Sequence, residues 1–192
     1  MSEAMESDFF SWTIKAIRDD ASKPTWLEDR KSEWVPLVEH TLRHIILDAY
    51  TVILLSDKER CWFVEYALGY LNSSRRMRPF FPIYAPASSI ASMLSPYNAR
   101  QSTEMVPLIR DMLSISFGEK YLFWYVGRID DFNAKLAFSH DYNFSWILDE
   151  QMSNSFSLSS VDETLDIKLL QLLRIFDKSL SAALFGKITW GG

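Results

Sequence analysis

Two rhythms of apolar positions run along this chain, and they meet between Thr51 and Leu71. TVILLS (Thr51 to Ser56) is a continuous apolar run of strand length. DKERCWFVEYALGYL, from Asp57, carries its apolar residues at three-and-four spacing and predicts a helix. Upstream, Asp8 to Asp20 predicts a helix with Phe9, Trp12, Ile14 and Ile17 near one side, broken at Lys23-Pro24-Thr25. A second helical region spans about Trp26 to Asp48, with Trp34, Leu37, Val38, Leu42, Ile45 and Ile46 in helical register. Pro36 marks a kink or a first turn in it. Downstream, the polar, basic link Asn72 to Arg78 leads into a second strand, Phe80 to Ala85, interrupted by Pro82. The Pro/Ser-rich stretch Pro86 to Asn98 holds a short helix around Ile90 to Leu94, and Ser102 to Ser114 a longer one with Pro107 early in it. Tyr121 to Val126 (YLFWYV) is the clearest strand, aromatic and β-branched throughout. A short helix at Asp130 to Phe138, strands at Phe144 to Leu148 and Phe156 to Ser159, and a long amphipathic helix from Val161 to Lys187 complete the series. Asp162 or Thr164 caps that last helix. Continuous apolar strands alternating with helices predict a parallel sheet covered on both faces. One α/β domain over residues 1–192, with about five strands, is the expectation.

The last helix carries more apolar surface than one contact with a sheet requires. Leu169, Leu172, Leu173, Phe176, Leu180, Ala183 and Leu184 form one stripe, and Leu170, Ile175 and Phe185 widen it. A second subunit is the expected cover for the excess, so the protein is expected not to be a monomer. Gly186 is a plausible stop for the helix. Leu184-Phe185, just before it, is either core or the apolar anchor of a partner site.

A strand running into a helix N-terminus is where doubly wound proteins hold phosphates, and such turns need glycine for close approach to the anion. Here the turn is Ser56-Asp57-Lys58-Glu59-Arg60. It has no glycine, and its two acids would repel an anion. The scaffold of a ligand-binding domain with its cradle filled points to a protein that binds proteins. The net charge of −5 disfavours broad binding to nucleic acid through a basic surface. The lone Cys61 fits a reducing cytoplasm and reads as a small buried hydrophobe. The N-terminus has acids where a signal peptide carries bases, and no apolar run reaches membrane-spanning length.

Catalytic chemistry finds little footing. His40 and His44 share a helix face, a spacing that can hold a metal, but HTLRH lacks the acid of a zinc-protease helix and has no evident third ligand. Two solvated or hydrogen-bonded histidines are expected. There is no nucleophile elbow, phosphate loop or dinucleotide fingerprint. The acid pairs Asp19/Asp20, Asp130/Asp131 and Asp149/Glu150 fall at predicted element ends, where acids cap helices or face water. No catalytic, cofactor-binding or metal-ligating residue is assigned. The run Arg75-Arg76-Met77-Arg78 reads as a solvated loop, with Arg78-Pro79 leading directly into the second strand.

Several separated segments together resemble one family. They are FFSW–IK–RD in the first helix, TWLE–R, LLSDKERCWFVEYALGYLN, the Arg-Pro–strand junction, FWYVGRI, and the tail LDIKLLQLLRIFDKSLSAALFGKIT. From about Phe9 to Trp190 the chain is similar to the HobA family, regulators of bacterial replication initiation related to DiaA and to sugar isomerase (SIS) domains. The resemblance implies a modified Rossmann-type, SIS-like three-layer fold. It implies a homotetramer built as a dimer of dimers that binds the N-terminal domain of the initiator DnaA, assembles several DnaA molecules at the origin, and meets DNA only through DnaA. It also implies a partner site that includes Leu184 and Phe185 and, by similarity to the DiaA relatives, Arg78 of Arg78-Pro79. The SIS enzymes hold sugar phosphate on two Gly- and Ser/Thr-rich turns. This chain has SDKER and VGRIDDF there. A sugar-phosphate-binding SIS-type protein or degenerate isomerase is therefore the alternative, with such binding expected to be absent or weak.

Overall fold

The computed structural model describes residues 7–86 and 99–191, the side chains of 99–103 excepted. Strand parity builds its core. In β2 (Thr51–Ser56), Val52 and Leu54 face one way, and Ile53 and Leu55 the other. In β4 (Tyr121–Gly127), Leu122, Trp124 and Val126 join the first face, and Tyr121, Phe123 and Tyr125 the second. Together with β3 (Ile83–Tyr84), β5 (Asn143–Leu148) and β6 (Ser155–Leu158) they form a five-stranded, fully parallel sheet in the order β3-β2-β4-β5-β6. Both faces of β2, β4 and β5 are buried, which is why these strands are unbroken apolar runs.

The two faces are covered unequally. α5 (Ala99–Phe117) and α6 (Phe132–Phe138) cover the Phe123 face. The Trp124 face lies under α1 (Phe9–Arg18), α2 (Thr25–Asp29), α3 (Lys31–Ile46), α4 (Cys61–Leu71) and α7 (Leu165–Leu184). Its centre is aromatic: the Trp124 ring lies 5.1 Å from Trp146 and 4.7 Å from Phe176, and Trp34 lies 5.7 Å from Trp146. This is the three-layer α/β arrangement expected.

Some boundaries differ from the expected ones. The region Trp26 to Asp48 is two helices, because Arg30 leaves helical geometry at φ −107°. There its guanidinium donates to the Ser157 carbonyl at 2.6 Å and stacks over Phe156, tying the break to the edge strand β6. The second strand shrinks to Ile83–Tyr84. Pro79 and Pro82 have no N–H to give, and Pro82 contributes only its carbonyl, to Val52 at 2.8 Å. A 3-10 turn over Lys58–Arg60 precedes α4. The long helix begins at Leu165 with Thr164 as its cap residue, while Asp162 takes the Thr164 N–H one turn earlier. The short helix expected around Ile90 to Leu94 lies outside the described residues.

Two expectations are corrected. Cys61 is exposed. α4 buries Phe63, Ala67 and Leu71 on one stripe, and Cys61, two residues before Phe63, falls on the opposite side. The broad apolar surface of α7 needs no second subunit, because α1, α3 and α4 flank the helix within the chain. Ile175 is as fully buried as Leu172, and Leu170 is half-buried. Of the apolar residues of α7, Ile167 and the cap residue Phe185 stay exposed, and a further uncovered group lies on α5, at Leu108, Met112 and Ile115.

A buried acid locks α7 to the first helices. Asp20 accepts from the Ser22 N–H at 2.8 Å, from Lys178 at 2.7 Å and from Arg174 at 3.3 Å. Burial by itself raises the Asp20 carboxyl, but the Lys178 and Ser22 bonds overcome it and hold the group well below the usual range. Between the folded value and the unfolded value near about 4, the unfolded chain binds more protons, so stability falls as pH drops through that window. Asp20→Asn should cost roughly 1.5–3 kcal/mol at pH 7 and flatten the acid limb of stability against pH, read by urea titration at pH 7 and pH 3. An unchanged acid limb would mean that Asp20 is not the group responsible.

Candidate partner-binding site

The sheet has its topological switch point between β2 and β4, whose chains leave in opposite directions toward β3 and β5. In open α/β sheets the crevice beyond such strand ends is the ligand position. Here Asp57 fills it. Its Oδ1 accepts the Arg60 N–H at 3.0 Å, and its Oδ2 accepts the Arg128 N–H at 3.0 Å and the Arg60 guanidinium at 3.1 Å. The backbone donors that would hold an anion are thus taken by the chain's own carboxylate. Asn133 closes the other side by donating to the Ser56 carbonyl at 2.7 Å. Burial, with help from Asp57 and Asp130, pushes the neighbouring Asp131 carboxyl up, against the opposing pull of the Asn133 N–H.

Gly127 makes this close approach possible. Its φ is +152°, and a Cβ there would meet the Asp57 carboxyl carbon at 2.6 Å. Gly127→Ala should cost roughly 2–4 kcal/mol, combining backbone strain with overpacking against a side chain held by three bonds. Adding Asp57→Gly, which removes the Asp57 Cβ (2.8 Å from the new methyl) as well as the carboxyl, to Gly127→Ala should restore the steric part only, which a double-mutant cycle in urea would resolve. Purely additive losses would show that the two residues do not press on each other.

At the other candidate position, α7 ends at Leu184 with Phe185 as its cap residue. Gly186 follows at φ +62°. The Lys187 N–H reaches the Ala182 carbonyl at 2.9 Å and the Gly186 N–H reaches Ala183 at 3.2 Å, which is a Schellman turn. β7 (Ile188–Thr189) then pairs in parallel with β1 (Ser7–Asp8), and Trp190 stacks on Phe9 at 6.0 Å. Phe185 is therefore held between a closed turn and a strand while its side chain stays outside, 52% exposed. Leu184 is half-buried and packs on the core beside it.

Arg78 sits differently from what its place in a basic run suggests. Its side chain is 3% exposed. The guanidinium bonds the Asp177 carboxylate of α7 at 2.9 Å and the Leu71 carbonyl at 2.6 Å. Arg76 takes the other oxygen of Asp177 at 2.9 Å and lies over the Tyr70 ring. The basic run by itself implies a solvated loop; the buried Asp177 of α7, which faces both arginines, is remote in the chain and overturns that expectation. What the Arg78-Pro79 junction shows to solvent is apolar: Met77 is 95% exposed and Phe80 69%. Both were missed, and no periodic signal marks them, since they lie outside regular structure. Through Asp177 the junction is fastened to the same helix that ends in Leu184-Phe185. The two anchor points are eight residues apart, about 12 Å along its axis.

Comparison with known proteins gives this geometry a context. A model of the HobA family, described as a DNA replication regulator, matches residues 5–190. The DNA replication regulator protein HobA of Helicobacter pylori is 28% identical over 189 residues, spanning 95% of this chain and 98% of the relative. A crystal structure of a HobA–DnaA (domain I–II) complex from the same organism superposes with a TM-score of 0.72 at 26% identity, over 95% of this chain and 99% of that one. A crystal structure of HobA from that organism gives 0.69 at 27% identity, with the same coverage. With the fold matched end to end, this chain belongs to the HobA family of DNA replication regulators.

Proposed function

We propose that this protein is a non-enzymatic adaptor of replication initiation, which binds the N-terminal domain of DnaA and promotes assembly of several DnaA molecules at the origin. The observation that carries this reading is the likeness along the whole chain to a HobA seen in complex with DnaA. The crevice at the switch point supports the non-enzymatic part, because Asp57 occupies the place of a phosphate. Leu184 and Phe185 are the proposed anchors. Phe185 is aromatic, exposed and held in a fixed turn, so little ordering cost opposes its burial in a partner. Arg78 serves the site by positioning the Met77–Phe80 segment on α7 rather than by offering its own charge.

The proposed mechanism is multivalency in the cytoplasm. A single-domain subunit repeated in a homotetramer, a dimer of dimers, presents repeated sites, so each bound DnaA raises the effective concentration of the next. The exposed apolar residues of α5 support self-association. DNA is met only through DnaA, in keeping with the chain's negative charge. The test is size-exclusion chromatography with light scattering on this protein mixed with the N-terminal region of DnaA from its own species. Several DnaA copies per oligomer is the expected result. Separate peaks for the two proteins would overturn the reading.

A further inference from the structure

At the end of the sheet away from the Asp57 crevice, the last turns of α3 carry His40 and His44, one helical turn apart. Their Nε2 atoms face each other at 3.3 Å, and the ring centroids are 4.5 Å apart. His44 Nδ1 lies 2.8 Å from the Asp48 carboxylate. A carboxylate only accepts, so Nδ1 of His44 carries a proton, and in the neutral ring its Nε2 turns a lone pair toward His40. Tyr50 and Tyr142 pack on the His44 ring at 5.2 and 4.9 Å and hold its plane.

We propose that His40 and His44 form a binding site for a borderline divalent transition-metal ion, Zn²⁺ or Cu²⁺, ligated through both Nε2 atoms. Two imidazoles on a tetrahedral Zn²⁺, each at about 2.0–2.1 Å, place their nitrogens about 3.3–3.4 Å apart, the separation found here, and a tetragonal Cu²⁺ requires the pair to close by about 0.5 Å. The Asp48–His44 bond is the outer-shell arrangement that fixes tautomer and ring orientation at metal sites. His40 is the adjustable partner, because it lies on the exposed side of the pair. On binding, its proton moves from Nε2 to Nδ1 and no net proton is released. Among the described residues no group of three His, Cys, Asp or Glu converges, so water completes the coordination. Imidazole suits zinc and copper, whereas magnesium requires oxygen ligands.

Because the two nitrogens are aligned only when α3 is formed, a metal on this pair must stabilise the folded chain. The experiment is thermal unfolding and calorimetric titration with Zn²⁺, Cu²⁺ and Mg²⁺, in a Cys61→Ser background that removes the exposed thiol as a competing ligand. Zn²⁺ and Cu²⁺ should bind one per chain and raise the midpoint, and Mg²⁺ should do neither. His40→Gln or His44→Gln should abolish the shift, and Asp48→Asn should weaken binding about 10–100-fold. Should a histidine variant unfold, electron paramagnetic resonance of the Cu²⁺-loaded Cys61→Ser protein still counts the ligands, with two imidazole nitrogens expected. One or no imidazole nitrogen, a shift that survives in both histidine variants, or no binding by Zn²⁺ and Cu²⁺ would overturn the site. None of these outcomes bears on DnaA binding.

Discussion

Asp177→Asn should destabilise the protein by about 3–5 kcal/mol, the largest loss expected from a single polar substitution here. The reason is what it leaves behind. Arg78 cannot give up its charge, and its guanidinium is 3% exposed. Asp177 supplies the compensating carboxylate at 2.9 Å, and the other acceptors, the Leu71 carbonyl at 2.6 Å and the Pro79 carbonyl at 3.5 Å, are neutral. With Asp177 neutral, Arg78 must either stay buried without a counter-ion or pull out and carry the segment before β3 with it. Arg76 shares the same carboxylate, but its side chain is 32% exposed and water can replace the bond, so Arg76→Ala should cost about 1 kcal/mol or less. Urea unfolding should show the two losses as midpoint shifts at unchanged slope. A loss under about 1 kcal/mol for Asp177→Asn would mean that Arg78 escapes to solvent without disturbing the fold.

Phe185→Ala should weaken binding of the DnaA N-terminal domain by 2 kcal/mol or more, about thirtyfold, while changing the protein's own stability by less than about 0.5 kcal/mol. The split follows from exposure. Phe185 is more than half outside, while the turn that holds it uses backbone bonds and Gly186, which the substitution leaves in place. Leu184 is a poorer probe because it also packs on the core, so its truncation mixes binding with folding. Calorimetry with the DnaA domain gives the affinity, and light scattering confirms that the oligomeric state is the same as wild type. Unchanged affinity would move the proposed contact away from the end of α7. Exposed Met77 and Phe80 would then be the next positions to truncate.

The central strands were legible because a strand buried on both faces leaves a continuous apolar run. TVILLS, YLFWYV and FSWIL each became a core strand within one residue of the expected ends. The edge strand β3 was overestimated, since its aromatic residues resemble strand while its prolines refuse the ladder. The stop at Gly186 was also visible, because only a residue tolerant of positive φ closes a helix that way without strain. The breadth of the α7 stripe was visible too but misassigned. Sequence shows how much surface must be covered and is silent on whether a neighbouring helix or another chain covers it.

The same distinction divides the candidate site. The absence of glycine after β2 already argued against a phosphate cradle. That Asp57 reaches across to the Arg128 N–H, 71 residues away, depends on β2 and β4 being neighbours in the sheet. The basic run around Arg78 could be read only as charge, since its partner Asp177 is 99 residues distant. By itself the sequence determined most of the elements and the layering, and marked the apolar pair Leu184-Phe185 at the end of the last helix as a candidate, because periodicity, strand composition and helix stops are properties of neighbouring residues. Only the tertiary structure decided which charges are spent inside and which apolar side chains remain outside. Burial and ion pairing are settled between segments that meet only when the sheet is assembled.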